Sequence, residues 1–225
     1  MHFDVGRLQD DLHALTYADW KKHYQARHYE GDWSALPLRS VNGETENILV
    51  SPFENAIYQD TSLLGQCPYF MEVLEHFHCP IKGVRLLRLK AGSMIKEHRD
   101  HDLCFEKGEI RIHIPIVTHE AVEFLLDGER ISLRVGECWY MNFNLRHAIR
   151  NNSPIDRVHL VLDAIVNEWV TELFSRQGLN KKVIDDPDYD ESTKKQIIEN
   201  LRKLNTETAS RLADEMEGSF SSKQS

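Results

Sequence analysis

The sequence predicts a mainly β fold, a double-stranded jelly roll with helices at both ends. Three observations carry this reading. Residues 83–165 run as a series of short strands separated by turn formers. Asp127-Gly128 interrupts one apolar stretch with a strong hairpin signal. Both flanks switch to helical spacing. The chain therefore divides into a helical segment (1–27), a jelly-roll domain (28–166) and a C-terminal helical appendage (167–225).

The elements follow in order. Leu8, Leu12 and Leu15 make a helical stripe, and Asp19-Trp20 is expected to open a second short helix. His28 to Trp33 reads as a loop leading into extended chain. Residues 67–79, CPYFMEVLEHFHC, predict a helix with Pro68 in its first turn and Phe70, Val73, Leu74 and Phe77 on one face. GVRLLRLKAG is a strand closed by glycine. In EIRIHIPIV, Ile110, Ile112, Ile114 and Ile116 face one way and Arg111 and His113 the other. AVEFLLDGERISLRV, GECWYMNF, RHAIRN and DRVHLVLDAIV continue the series. Many short antiparallel strands in one unit make a sandwich or jelly roll. NEWVTELFSRQ is helical again. A polar loop then leads to a longer helix with Ile197, Leu201, Leu204, Leu212 and Met216 as a stripe, which packs on the sheet or joins two copies as a homodimer.

Bulk properties exclude some functions. A chain of 225 residues with 41% hydrophobic and 28% charged residues is globular. A formal net charge of −9 argues against general nucleic-acid binding. No apolar run is long enough to span a membrane, and MHFDVGRLQDDLH has no apolar signal core. Cys67, Cys79, Cys104 and Cys138 form no CxxC pair. Reduced thiols in a cytoplasmic protein are expected.

The chemistry resides in a split set of residues. His98 and Asp100 are two apart, and His147 follows forty-nine residues later. Two residues apart on a strand share a face, and a jelly roll can bring distant strands beside them. Two histidines and a carboxylate hold one metal and leave positions open, as in non-haem Fe(II) oxygenases. The run His98-Arg99-Asp100-His101-Asp102 leaves His101 and Asp102 open as alternative ligands. Gly92, six residues before His98, and Asn151, four after His147, sit at spacings that resemble cupin-like barrels. Arg157 lies ten residues after His147, where it suits a co-substrate carboxylate. A hairpin centred on Asn152 would make 147 and 157 cross-strand neighbours, about 5 Å apart at Cβ. Arg111 and His113 leave a co-substrate contact and a structural role both open. His159 shares a strand face with Arg157, with less expected access to the pocket. His76 and His78, two apart on a helix, point to different sides and do not share a metal.

Three stretches, RLLRLKAGSMIKEHRD, EIRIHIPIVTHEAVEF and GECWYMNFNLRHAIRNNSPIDRVHLVLD, resemble the aspartyl/asparaginyl β-hydroxylase family. GDWSALPLRS resembles a further element, and the resemblance spans roughly residues 28–165. It implies a jelly-roll core that uses Fe(II), 2-oxoglutarate and O₂. It also implies His98, Asp100 and His147 as iron ligands, Arg157 on the distal carboxylate of 2-oxoglutarate, and Arg111 and His113 as an RxH element near the co-substrate. Asp100 puts the chain with the branch that keeps a complete triad, to which bacterial proline hydroxylases belong. Hydroxylation of a free amino acid or of an Asp/Asn side chain is expected, with succinate and CO₂ released. Two other classes compete. A cupin-like binding module would hold metal without turnover. A zinc hydrolase could use the same donors, though the sequence has no HExxH. Arg85, Arg88, Arg99 and Arg150 are each open as substrate-carboxylate contacts or as solvated charges.

Overall fold

The computed structural model describes residues 1–50 and 56–179, and beyond these Ile198, Glu199, Arg202, Ser210 and Asp214. Helix α1 (Val5–Ala14) is followed by strands β1 (Lys21–Lys22), β2 (Tyr29–Glu30), β3 (Trp33–Val41) and β4 (Tyr58–Asp60). Helix α2 (Pro68–Glu75) precedes β5 (Ile81–Leu89), β6 (Met94–His98), β7 (Glu109–Val117), β8 (Val122–Leu126) and β9 (Glu129–Ile131). Strands β10 (Trp139–Tyr140), β11 (His147–Asn151) and β12 (Arg157–Ile165) lead to helix α3 (Glu168–Arg176).

Among the described residues the strands form two antiparallel sheets. The larger runs β1-β3-β5-β12-β7-β10, with β4 on the edge of β3, and the smaller runs β2-β6-β11-β8-β9. From β5 to β8, and again from β10 to β12, successive strands alternate between the sheets. This is the double-stranded jelly roll expected from the sequence. The β8–β9 hairpin turns at Asp127-Gly128, both with positive φ (51° and 84°), the pairing a tight type I′ turn requires.

Strand periodicity separates two environments on the large sheet. Val84, Leu86, Ile110, Ile112, Ile114, Ile116, Leu160 and Leu162 project outward and form one core with Leu8, Phe70, Val73, Val170 and Phe174 of the three helices. Each such side chain contributes about 1.5–3 kcal/mol by leaving water. The opposite face carries Arg85, Arg111, His113, Arg157, His159 and Asp163, at alternate positions on the same strands. It faces the small sheet across a second apolar cluster that includes Trp33, Leu89, Ile95, Phe124, Phe143 and Ile149.

Three expectations need correction. No helix opens at Asp19-Trp20. The chain extends there into β1, whose backbone pairs with β3 at Lys21↔Ala35. Helix α2 stops at Glu75 rather than running to 79, because the N–H groups of His76 and Phe77 close tight i−3 turns onto Val73 O (3.3 Å) and Leu74 O (3.0 Å) in place of the helical ladder. His76 caps the helix and His78 lies beyond it. Finally, His147 and Arg157 are not hairpin neighbours. Strand β11 pairs with β6 and β8 in the small sheet, while β12 pairs with β5 and β7 in the large one. The turn at Asn152 therefore crosses between sheets. Asn151 holds that crossing through its side-chain amide, which donates to Leu89 O and Ile155 O (both 2.9 Å).

The chain forms two compact units, Met1–Lys182 and Val183–Ser225. Helices α1 and α3 belong to the first and share its core. In the second, the described positions are helical, and Arg202 Nη2 bonds Asp214 Oδ1 at 2.6 Å. The expected stripe from Ile197 to Met216, and the homodimer contact assigned to it, lie outside the described residues. No described helix is long and apolar enough to cross a membrane. All four cysteines are free.

Candidate metal and carboxylate site

His98 ends β6 and His147 begins β11, and the register sets them directly opposite each other. Their ring centroids are 4.2 Å apart. Asp100 lies just past the strand, where its backbone N–H donates to Phe143 O (3.0 Å). One donor atom from each of His98, Asp100 and His147 falls within 4.8 Å of the others, a span one ion can bridge. His98 Nδ1 meets Lys96 O at 2.8 Å, and His147 Nδ1 meets Leu145 O at 3.0 Å. A carbonyl only accepts, so Nδ1 carries the proton in each ring and Nε2 keeps its lone pair. This is the tautomer a metal-binding histidine needs. Burial pushes His147 down to about 4, so the ring is neutral near pH 7. These donors fit a divalent cation of the iron or zinc type. His101 and Asp102 are exposed and stand outside the cluster.

A buried ionic chain supports Asp100. Arg111 Nη1 donates to Asp100 Oδ2 (2.6 Å), while its Nε and Nη2 grip Asp163 (2.6 and 3.2 Å). Asp163 stands directly opposite Arg111 in the β12–β7 register. It also pairs with Arg85, whose Nη1 donates to Ile48 O (3.1 Å). Burial works to lower Arg111, but Asp163 and Asp100 outweigh it and raise it. Burial works to raise Asp100, but Arg111, His147 and His98 hold it below the usual carboxylate range. Asp100 therefore stays ionised, with Oδ2 held by Arg111. Its Oδ1 lies 3.7 Å from His98 Nε2.

Arg157 has a contrasting environment. It is 2% exposed, and burial pushes it down to about 9, with no carboxylate among the described residues to offset the loss of water. Its Nη2 meets His159 Nδ1 at 3.1 Å, and its Nε has no hydrogen-bond partner. His159 Nδ1 also meets His113 Nδ1 (3.3 Å). The Phe143 ring joins this group to the metal ligands, 5.0 Å from the His113 ring and 4.9 Å from that of His147. A buried guanidinium without an anion is costly unless a ligand supplies one.

A family model described as aspartyl/asparaginyl beta-hydroxylase matches residues 3–166. The chain belongs to this family. The match extends the resemblance back through α1. L-proline cis-4-hydroxylase of Rhizobium meliloti (strain 1021) is 30% identical over 164 residues, covering 72% of this chain and 57% of the relative. L-proline cis-3-hydroxylase 2 of Streptomyces sp is 24% identical over 174 residues, with the same coverage of 72% and 57%. The chain thus spans little more than half the length of the curated relatives it matches. Among solved structures, a 2OG-Fe(II) oxygenase family oxidoreductase from Burkholderia pseudomallei is similar at 15% identity and a TM-score of 0.47. That match covers 74% of this chain and 84% of the other.

This β-hydroxylase family member brings all six residues singled out in its sequence into the space between the sheets. His98, Asp100 and His147 converge. Arg111 meets Asp100 and Asp163, and His113 and Arg157 both meet His159. Sequence reading passed over Asp163 and Phe143 and gave His159 a lesser place. Asp163 had a usable signal, because it lies six residues after Arg157 and so on the same strand face. Of the four open arginines, Arg85 is buried on Asp163, and Arg88 lies over the Trp20 ring (4.3 Å). Arg99 lines a cleft beside Asp100, and Arg150 is exposed.

Proposed function

We propose that this chain is an Fe(II)- and 2-oxoglutarate-dependent hydroxylase of an amino acid or an Asp/Asn-type side chain. The observation that carries the proposal is a pair of complementary sites in one barrel. Three converging donors suit a divalent metal, and a buried guanidinium, linked to them through Phe143, His113 and His159, has no anion among the described residues. In this reading His98, Asp100 and His147 hold the iron, and Arg157 holds the distal carboxylate of 2-oxoglutarate. Fe(II), 2-oxoglutarate and O₂ bound together would supply the oxidising chemistry for an unactivated C–H, releasing succinate and CO₂.

The protein's own contribution is orientation and exclusion of water. The Nδ1–H bonds to Lys96 O and Leu145 O fix the two imidazole planes. Arg111 occupies one oxygen of Asp100 and leaves the other beside His98. Phe143 fills the space between His147 and His113 with an apolar ring. Substrate is assigned to a cleft of about 530 Å³ beside Asp100, with His23, Tyr24, Trp33, Arg85 and Arg99 among its lining residues. The cleft has room for a free amino acid. Relatives described as proline hydroxylases make proline the first substrate to try.

The test needs no substrate. Fe(II) and 2-oxoglutarate are added to the protein without oxygen, and the visible spectrum is recorded. A weak charge-transfer band that His147→Ala abolishes is expected. A folded, iron-loaded protein with no band would sink the proposal. Succinate formation with proline, then with Asp and Asn peptides, sorts the substrates.

A further inference from the structure

The hydrogen atoms around Arg157 follow from the donors available. A guanidinium only donates, so His159 Nδ1, 3.1 Å from Arg157 Nη2, is an acceptor. Burial and the neighbouring Arg157 hold the His159 ring neutral, so its one proton sits on Nε2. His113 Nδ1, 3.3 Å from that same bare nitrogen, must then donate. This leaves His113 Nε2 a bare acceptor. Both Nε2 atoms are buried without a partner, yet they are opposite in kind: His159 offers a proton and His113 offers a lone pair.

Only one of these two rings lines the cleft where Arg157 lies. That cleft, of about 580 Å³, has Arg157, His159, Phe124, Ile131 and Leu133 among its walls and does not include His113. It shares no lining residue with the cleft beside Asp100. Arg157 and His159 both line this one cavity and each keeps a buried, unpartnered N–H, at Nε and Nε2, two donors that suit the two oxygens of a carboxylate.

We infer that His159, through its Nε2–H, is the second carboxylate-binding residue beside Arg157, and that His113 is a positioning residue that locks the His159 tautomer. The ligand class is a dicarboxylic 2-oxo acid, and the inference rests on the 2-oxoglutarate reading above. It reverses the ranking that the RxH resemblance implies, in which His113 meets the co-substrate.

Two substitutions separate contact from support. His159→Asn keeps an acceptor near the Nδ1 position for Arg157 but has nothing at Nε2. His159→Gln carries an amide N–H out to the Nε2 position. Calorimetric titration of the Mn(II)-loaded full chain compares 2-oxoglutarate with 2-oxopentanoate, the same carbon chain without the distal carboxylate. Wild type prefers 2-oxoglutarate. His159→Asn is expected to cut that preference about tenfold or more, the loss of one charge-assisted hydrogen bond, and His159→Gln to restore most of it. The reverse order, with Asn preserved and Gln impaired, would make His159 only a prop for Arg157 and overturn the inference. An equal loss for both ligands in both variants also overturns it. Variants that match wild type remove the inference and leave the hydroxylase reading standing. Wild type that binds no 2-oxoglutarate removes both. Long-range ¹H–¹⁵N spectra give a second reading without any ligand: His159 protonated at Nε2 and His113 at Nδ1. Swapped tautomers would refute the assignment.

Discussion

Single residues in this barrel trade stability against binding. Arg157 is a buried charge with no counter-ion among the described residues, so the ligand-free fold bears its desolvation cost. Arg157→Met, close in length and apolar, should raise the thermal midpoint of the metal-free protein by a few degrees. It should also raise the 2-oxoglutarate concentration needed for the charge-transfer band at least about tenfold. A lower midpoint with unchanged 2-oxoglutarate binding would show that Arg157 serves packing alone. Asp100 behaves oppositely, because its charge is already matched by Arg111. Asp100→Ala should weaken Mn(II) binding at least about tenfold, read by titration, and leave Arg111 with Asp163 alone.

At the level of elements, β12 organises the interior. Its odd positions carry Arg157, His159 and Asp163 into the space between the sheets, and its even positions carry Val158, Leu160 and Leu162 into the helical core. Asp163→Asn keeps the volume but strips the shared anion from Arg85 and Arg111. The expected cost is about 3–5 kcal/mol in denaturant unfolding, with weaker metal binding because Arg111 no longer braces Asp100. A variant as stable as wild type would mean the arginines find other partners. Where β2 passes to β3, Gly31 has φ +85°, and an added Cβ would meet Ser93 Cβ at 2.8 Å. Gly31→Ala should therefore destabilise by more than about 1 kcal/mol, through left-handed strain and the clash with the chain entering β6. An unchanged unfolding midpoint would contradict this close approach.

For the molecule as a whole, acid sensitivity follows from imidazoles held neutral. Burial depresses His23 to about 3 and His147 to about 4, and drives His113 and His159 well below the ordinary value. Unfolding releases these rings to a pKa near 6.5, so the unfolded chain binds more protons below that pH. Their stability contribution is complete above pH 6.5 and is lost as pH falls toward 4. Each ring contributes at most about 2 kcal/mol of loss at pH 5. The metal-free protein should show a clear fall in thermal midpoint between pH 7 and pH 5. A flat profile over that range would mean the rings are protonated in the folded chain.

Much of this was legible in local pattern. Alternation in EIRIHIPIV and DRVHLVLDAIV put Arg111, His113, Arg157 and His159 on one face of their strands, and the structure keeps them there. Asp127-Gly128 marked a turn because only a few residue types tolerate two positive φ angles in succession. The HxD spacing marked Asp100 as a partner for His98. Periodicity cannot say which strand lies beside which, because pairing depends on how two sheets close over a shared core. Residues ten apart, His147 and Arg157, read as hairpin neighbours but ended in opposite sheets. Residues forty-nine apart, His98 and His147, became direct cross-strand partners. The sequence by itself determined which side chains point into the barrel. The tertiary structure decided which of them touch, and so turned Arg111 toward Asp100 and Asp163 and left Arg157 without an anion among the described residues.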